Sequence, residues 1–237
     1  MIQLLKASDI MHDTYAWAYG VNSMGYRCPE FDTISWNDSV LLFGCSHVFG
    51  IGVEDKDTIA YQIQLVLKRP VINLGQGGTG YSYQWINSTI LRSCGINPKA
   101  VVYLWPDISR QAIFNIKNDY VITKAMGHWS VDPKSDRTDV GIALVTNENH
   151  TTAMSYYYSK NVEVIWNCPV FQFSHTGLLP HSNIKPIPTW NRVDTAPGES
   201  MHPGPGTNKL RANCIIKHLI WSRVRFHDSP QILLLGS

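Results

Sequence analysis

Two short stretches of this chain carry side chains of the kind that transfer acyl groups. In Gly44-Cys45-Ser46-His47-Val48-Phe49-Gly50, a serine stands where the apolar run Val40-Leu41-Leu42-Phe43 gives way to glycine. In Glu199-Ser200-Met201-His202-Pro203, a carboxylate stands three residues before an imidazole, close enough to reach it within one turn of chain. Acyl transfer needs a nucleophile, a general base, an acid that orients the base, and donors for the oxyanion. Ser46, His202 and Glu199 supply the first three. Asp194, eight residues before His202, is a more distant candidate for the orienting acid. Taken alone, a serine at such a point is most simply a helix cap, so the elements around it must decide.

Those elements alternate. Residues 39–43 read as a first strand, in which Val40 to Phe43 are apolar without a period of two, as in a strand buried on both faces. Gly44 releases the backbone, and Gly50 and Gly52 permit tight curvature after Ser46. A helix is expected over 57–68, with Ile59, Ile63, Val66 and Leu67 at helical spacing and Asp57 as its cap. Val71-Ile72-Asn73-Leu74 reads as a second strand ending in Gly75-Gln76-Gly77-Gly78-Thr79-Gly80. A helix over 81–91 buries Trp85, Ile86 and Ile90, and Ala100 to Trp105 form a third strand that stops at Pro106-Asp107. This order implies a parallel sheet with right-handed crossovers. Ser46, Gly75 and Pro106-Asp107 then share one edge of the sheet, where open α/β folds bind ligands.

The rest is less regular. Residues 106–136 combine a helix around 109–116 with loop, and form a candidate insertion or lid. A helix around 139–160 precedes a fourth strand at 162–166, and the proline-rich stretch 170–206 reads as ordered loop. A last helix, over 207–224, sets Leu210, Ile215, Ile216, Leu219 and Ile220 on one face. Residues 1–38 read as an extension packed on the sheet, and with no linker in view the whole of 1–237 is expected to be a single domain.

With 237 residues, 44% of them hydrophobic, the chain is long and apolar enough for a full core. The net charge of +2 and the absence of a Lys/Arg cluster argue against a nucleic-acid track or a membrane surface. No signal-peptide pattern opens the sequence, and no apolar run approaches the ~20 residues that span a bilayer, so a cytoplasmic protein is expected. The five cysteines are scattered, odd in number and without a C-x-x-C pair. Buried free thiols are expected rather than disulfides, and no metal or other cofactor.

Taken together and in order, the blocks resemble the SGNH (GDSL-type) hydrolase superfamily. Gly44-Cys45-Ser46 with Phe49-Gly50 is similar to its first block, Asn73-Leu74-Gly75 to its second, and Glu199-Ser200-Met201-His202-Pro203 to its last, with glutamate in place of aspartate. The resemblance implies a flavodoxin-like three-layer α/β/α sandwich around a mostly parallel sheet. It also implies a serine esterase working through an acyl-enzyme, with Ser46, His202 and Glu199 as the triad. The N–H groups of Ser46 and Gly75 would hold the oxyanion. Small acyl esters such as acetyl groups, carried on carbohydrate, are the implied substrates, and eight Trp and eleven Tyr suit sugar stacking. Two positions depart from the family pattern. Cys45 replaces the aspartate of the first block, and Pro106 replaces the asparagine that donates to the oxyanion in the third. Arg110, Gln76, Asn73 and the Trp105 indole are candidates for the missing donor. His47, Trp105, Asp107 and Arg110 are candidate substrate contacts, although an ionised Asp107 would repel developing negative charge. The alternative is a non-catalytic binding module on the same fold, taking a carbohydrate or protein ligand.

Overall fold

The structure, a computed structural model, describes residues 2, 4, 19–117, 120–126, 147–174, 176, 181–187, 193–197 and 202–222. In chain order its elements are β1 (Val40–Gly44), α1 (Ser46–Phe49), α2 (Ile59–Leu67), β2 (Val71–Gly75), α3 (Tyr81–Ser93), β3 (Ala100–Trp105), β4 (Gln111–Lys117), β5 (Tyr120–Met126), α4 (Glu148–Ile165), β6 (Val170–Ser174), β7 (Lys185–Pro186) and α5 (Pro205–Trp221). The main sheet is parallel throughout, in the order β2-β1-β3-β6-β7. Counting only its own strands, that order is 2-1-3-4-5, the flavodoxin-like arrangement. The chain steps outward from β1 to β2 and then crosses back to β3. Right-handed crossovers therefore put α2 and α3 on opposite faces. Helix α2 packs with α5 and helix α3 with α4, completing three layers.

The strand side chains divide between the two faces. Val40, Leu42, Val102 and Leu104 join Ile59, Ile63, Ala212, Ile215 and Leu219 under α2 and α5. Leu41, Phe43, Val101, Tyr103 and Trp105 join Leu91 and Val162 under α3 and α4. On this second face four rings form a column: Phe43 on Tyr103 at 5.0 Å, Tyr103 on Trp105 at 4.8 Å, and Trp105 on Tyr81 at 4.4 Å, all within 12° of parallel. The Tyr103 hydroxyl meets Ser88 Oγ at 2.6 Å and accepts from Trp166 Nε1, so the polar tip of Tyr103 is satisfied.

Three expectations about elements need correction. The helix expected around 109–116 is β4, which pairs antiparallel with β5 in a separate two-stranded sheet. The strand expected at 162–166 is the last turn of α4, and the fourth strand of the sheet is β6, inside the stretch expected to be loop. The deciding pattern in α4 is Ser155, Ser159 and Val162, all buried, at offsets of four and seven. Val164 is 80% exposed, whereas a strand would have put it on the same face as Val162. Helix α4 starts at Glu148 because the Asn147 side chain accepts from His150 N at 3.0 Å. Likewise Thr58, not Asp57, caps α2, with its hydroxyl accepting from Tyr61 N. Of the cysteines only Cys45 is buried; Cys94 is exposed and Cys28, Cys168 and Cys214 are half-buried. Burial pushes the Cys28 thiol up to about 12 and the Cys168 thiol up to about 11. Residues 127–146, with part of the candidate lid, and the tail beyond 222 lie outside the described residues.

Candidate active site

The strand order reverses between β1 and β3, and Ser46 follows β1 at the carboxyl edge of that switch point, the place where such sheets bind ligands. Ser46 is the first residue of α1, and the residue in the cap position is Cys45, which makes no side-chain capping bond. The Ser46 hydroxyl therefore caps nothing. Its side chain is buried, and its Oγ contact is the Cys45 thiol at 4.0 Å, at the outer limit for a hydrogen bond to sulfur. A buried hydroxyl without a structural bond of ordinary length is an exception in folded proteins.

Local packing fixes where Ser46 stands. Gly44 and Gly75 are register partners on β1 and β2, and together they make a floor for Val48 of α1. Asn73 ties the same elements together: its Nδ2 donates to Val48 O at 2.9 Å and its Oδ1 accepts from Gly75 N at 3.0 Å. Helix α1 stops at Gly50, in the left-handed region at φ 86°. The turn beyond is held by the buried guanidinium of Arg27, which donates to Phe49 O, Gly50 O and Val53 O and pairs with Asp55 at 2.6 Å.

His202 comes to the same edge from the other end of the chain. A short antiparallel pairing of Thr195 with Pro203, with Ala196 N donating to His202 O at 3.0 Å, holds it just before α5. Its ring meets the ring of His47 edge to face, with centroids 5.7 Å apart. Thus His202 lies against the residue that follows Ser46. Glu199 lies outside the described residues.

Asp194 is committed elsewhere. Its carboxylate accepts from Gly206 N at 2.7 Å, Thr207 N at 2.8 Å and Thr207 Oγ1 at 2.8 Å. These are the second and third amides of α5, whose first residue, Pro205, has none to satisfy. Asp194 thus caps α5 from outside the helix. Burial pushes its carboxyl up, but the bonds from Thr207 and Gly206 outweigh this and hold it below the ordinary aspartate value. A carboxyl whose pKa is lower in the folded state stabilises the fold fully above its unfolded pKa, and that stabilisation is lost as pH falls through the folded pKa. Asp194→Ala is expected to cost about 1–2 kcal/mol at neutral pH. Urea unfolding in parallel with wild type should show this gap closing in acid. A gap that persists unchanged below the carboxylate range would remove the capping role.

The expected oxyanion donors need revision. Gly75 N–H donates to Asn73 Oδ1 rather than facing the edge. The Trp105 indole is fully buried and donates to Gln172 Oε1 at 2.8 Å, so Trp105 belongs to the core and contacts no substrate. Asn73 Nδ2 is bonded to α1, and Gln76 Nε2 donates to Gly25 O while its Oε1 accepts from Tyr83. Asp107 closes a turn, accepting from Ser109 N through its side chain and from Arg110 N through its carbonyl. Arg110 is half-buried beside it, and its carbonyl fills the space above Gly80. Among the described residues, the N–H groups of Ser46, Gly77 and Gly78 have no hydrogen-bond partner within the chain. Gly77 and Gly78 are half-buried in the turn that Gln76 N and Thr79 Oγ1 fasten to Gly44 O, two residues before Ser46.

No protein-family model matches the sequence, and no curated protein sequence matches it significantly. Among solved structures the chain is similar to an acetyl xylan esterase (Est2A) from the rumen bacterium Butyrivibrio proteoclasticus. The TM-score is 0.49 at 10% identity, over 80% of this chain and 65% of that one. It is also similar to a carbohydrate esterase family 2 enzyme with a carbohydrate binding domain from Corynascus thermopiles (Myceliophthora fergusii). There the TM-score is 0.45 at 11% identity, over 84% of this chain and 69% of that one. The chain thus spans 65% of the length of the first. What this edge can do chemically rests on the side chains themselves.

Two positions around the site escape sequence pattern. Arg27 and Arg211 are charged residues that are buried in the structure. Arg27 follows a turn in which Asn22 Oδ1 accepts from the amides of Met24 and Tyr26. Helix α5 was expected to bury Leu210, yet Leu210 is 44% exposed and Arg211 is 2% exposed.

Proposed function

We propose that this chain is a serine ester hydrolase. The observation that carries the reading is the Ser46 hydroxyl, buried at the switch point of the sheet with no structural bond of ordinary length, and with His202 against its neighbour. In this reading Ser46 Oγ attacks the carbonyl carbon of an ester while His202 accepts its proton. The tetrahedral intermediate collapses, the alcohol leaves with that proton, and the acyl group stays on Ser46. Water, deprotonated by the same imidazole, then attacks the acyl-enzyme and releases the acid. Glu199, three residues before His202, orients the imidazole and stabilises its charged form.

The oxyanion is held by the Ser46 N–H together with the N–H groups of Gly77 and Gly78, in place of the Gly75 amide. One such donor is worth ~10²–10³ in turnover. Peptide donors at these positions offset the loss of a side-chain donor at Pro106. Small acyl esters, such as acetyl groups on carbohydrate, are the substrate class, as the SGNH resemblance implies.

A serine-directed alkyl phosphonate tests this. The expected result is a single covalent adduct on the peptide carrying Ser46, together with hydrolysis of a short-chain chromogenic ester that the adduct abolishes. Absence of both adduct and hydrolysis overturns the proposal. If the protein nevertheless binds acetylated oligosaccharide, it is a binding module on this fold.

A further inference from the structure

Helix α5 carries a charge where its pattern calls for an apolar residue. Ala212, Ile215, Ile216 and Leu219 set which side of the helix faces the sheet, and that phase places position 211 inside. An apolar side chain there would be buried without penalty, whereas a guanidinium must replace the hydration it loses. Arg211 is 2% exposed, and its Nη1 lies 3.2 Å from His47 Nδ1. Arginine has donors only, so Arg211 donates and His47 Nδ1 accepts. The ring proton of His47 must then reside on Nε2. His47 follows Ser46 directly on α1, and its ring stands at 87° to that of His202.

We propose that Arg211 and His47 form a positioning pair for His202. Arg211 locks the rotamer and tautomer of His47, and the locked ring gives His202 a fixed surface to stand against. Arg211 of α5 contacts His47 of α1, and the His47 ring in turn contacts His202, while the main chain of His202 is held by the pairing of Thr195 with Pro203. Neither Arg211 nor His47 takes part in bond making. Both act on how often the His202 imidazole faces Ser46. The kinetic consequence rests on the esterase reading; the tautomer lock does not.

Two measurements keep these apart. Nitrogen-15 NMR of histidine-labelled wild-type protein is expected to show His47 as a single tautomer, with bare Nδ1 and protonated Nε2. In Arg211→Met it should become a mixture of tautomers. A wild-type His47 with its proton on Nδ1, or a variant spectrum unchanged from wild type, overturns the lock whatever the protein catalyses. With a short-chain ester, Arg211→Met and His47→Ala should each lower kcat about 10- to 100-fold, with KM within about twofold of wild type. The double variant should fall no further than the worse single, since both losses act through one imidazole. Arg211→Lys, which keeps a donor, should recover part of the loss. Additive losses, or losses confined to KM, overturn the pairing. If wild type itself shows no Ser46-dependent hydrolysis, the esterase reading fails while the NMR result still decides the lock.

Discussion

Under the esterase proposal, Ser46→Ala is expected to lower turnover of a short-chain ester by at least ~10³-fold, as removal of the nucleophile does in serine hydrolases. The substitution deletes one oxygen. Among the described residues, the hydrogen-bond contact of that oxygen is the Cys45 thiol, at 4.0 Å, and Cys45 rather than Ser46 holds the cap position of α1. Alanine is a favourable helix residue, and the change removes no structural hydrogen bond of ordinary length. Stability should therefore stay within about 0.5 kcal/mol of wild type. A large loss of activity in a fully folded variant separates a nucleophile from a cap. If activity holds while the melting temperature falls, Ser46 is a structural residue and the chemistry lies elsewhere.

The contrast between two kinds of position explains what the sequence reveals here. The two central strands beside Ser46, β1 and β3, are short apolar runs that end at Gly44 and Pro106, and central parallel strands must be apolar on both faces whatever packs on them. Their pattern is dictated locally, so the switch-point edge and the residues on it can be read directly. The stretch Val162-Glu163-Val164 alternates like a strand, yet it is helical: it completes α4, whose buried positions Ser155, Ser159 and Val162 recur at helical spacing and whose Val162 joins Leu91 of α3 in the core. Only the partner helix reveals that. Arg211 is harder still. A hydrophobic periodicity assigns Leu210 to the core, and the structure gives that place to a guanidinium whose partner, His47, is 164 residues away in sequence. Gly75 was legible as a special glycine, but for a different reason than the one found: its amide is bonded to Asn73, and its missing Cβ is what α1 requires. A polar side chain that serves a remote contact leaves no trace of its partner in the local pattern, and Arg211 is of that kind.

Gly75→Ala should be strongly destabilising. A Cβ there would stand 2.4 Å from Phe49 N, 2.8 Å from Val48 C and 2.7 Å from Val48 Cγ1. Two of those atoms are backbone, so no rotamer change relieves the clash, and α1 must lift from β2. Lifting it breaks the bond from Asn73 Nδ2 to Val48 O and draws Val48 off the floor formed with Gly44. Overpacking of this kind costs about 3 kcal/mol. For a domain of this size that is a drop of roughly 6–12 °C in melting temperature, with the urea m-value unchanged. Because Ser46 is the first residue of α1, the same displacement moves the hydroxyl proposed as nucleophile, and kcat should fall in the molecules that remain folded. Stability and turnover thus decline together in Gly75→Ala, whereas in Ser46→Ala only turnover declines. A Gly75→Ala protein with wild-type melting and wild-type kcat would mean that α1 does not rest on this glycine. The link from strand register to the placement of Ser46 would then be broken at its first step.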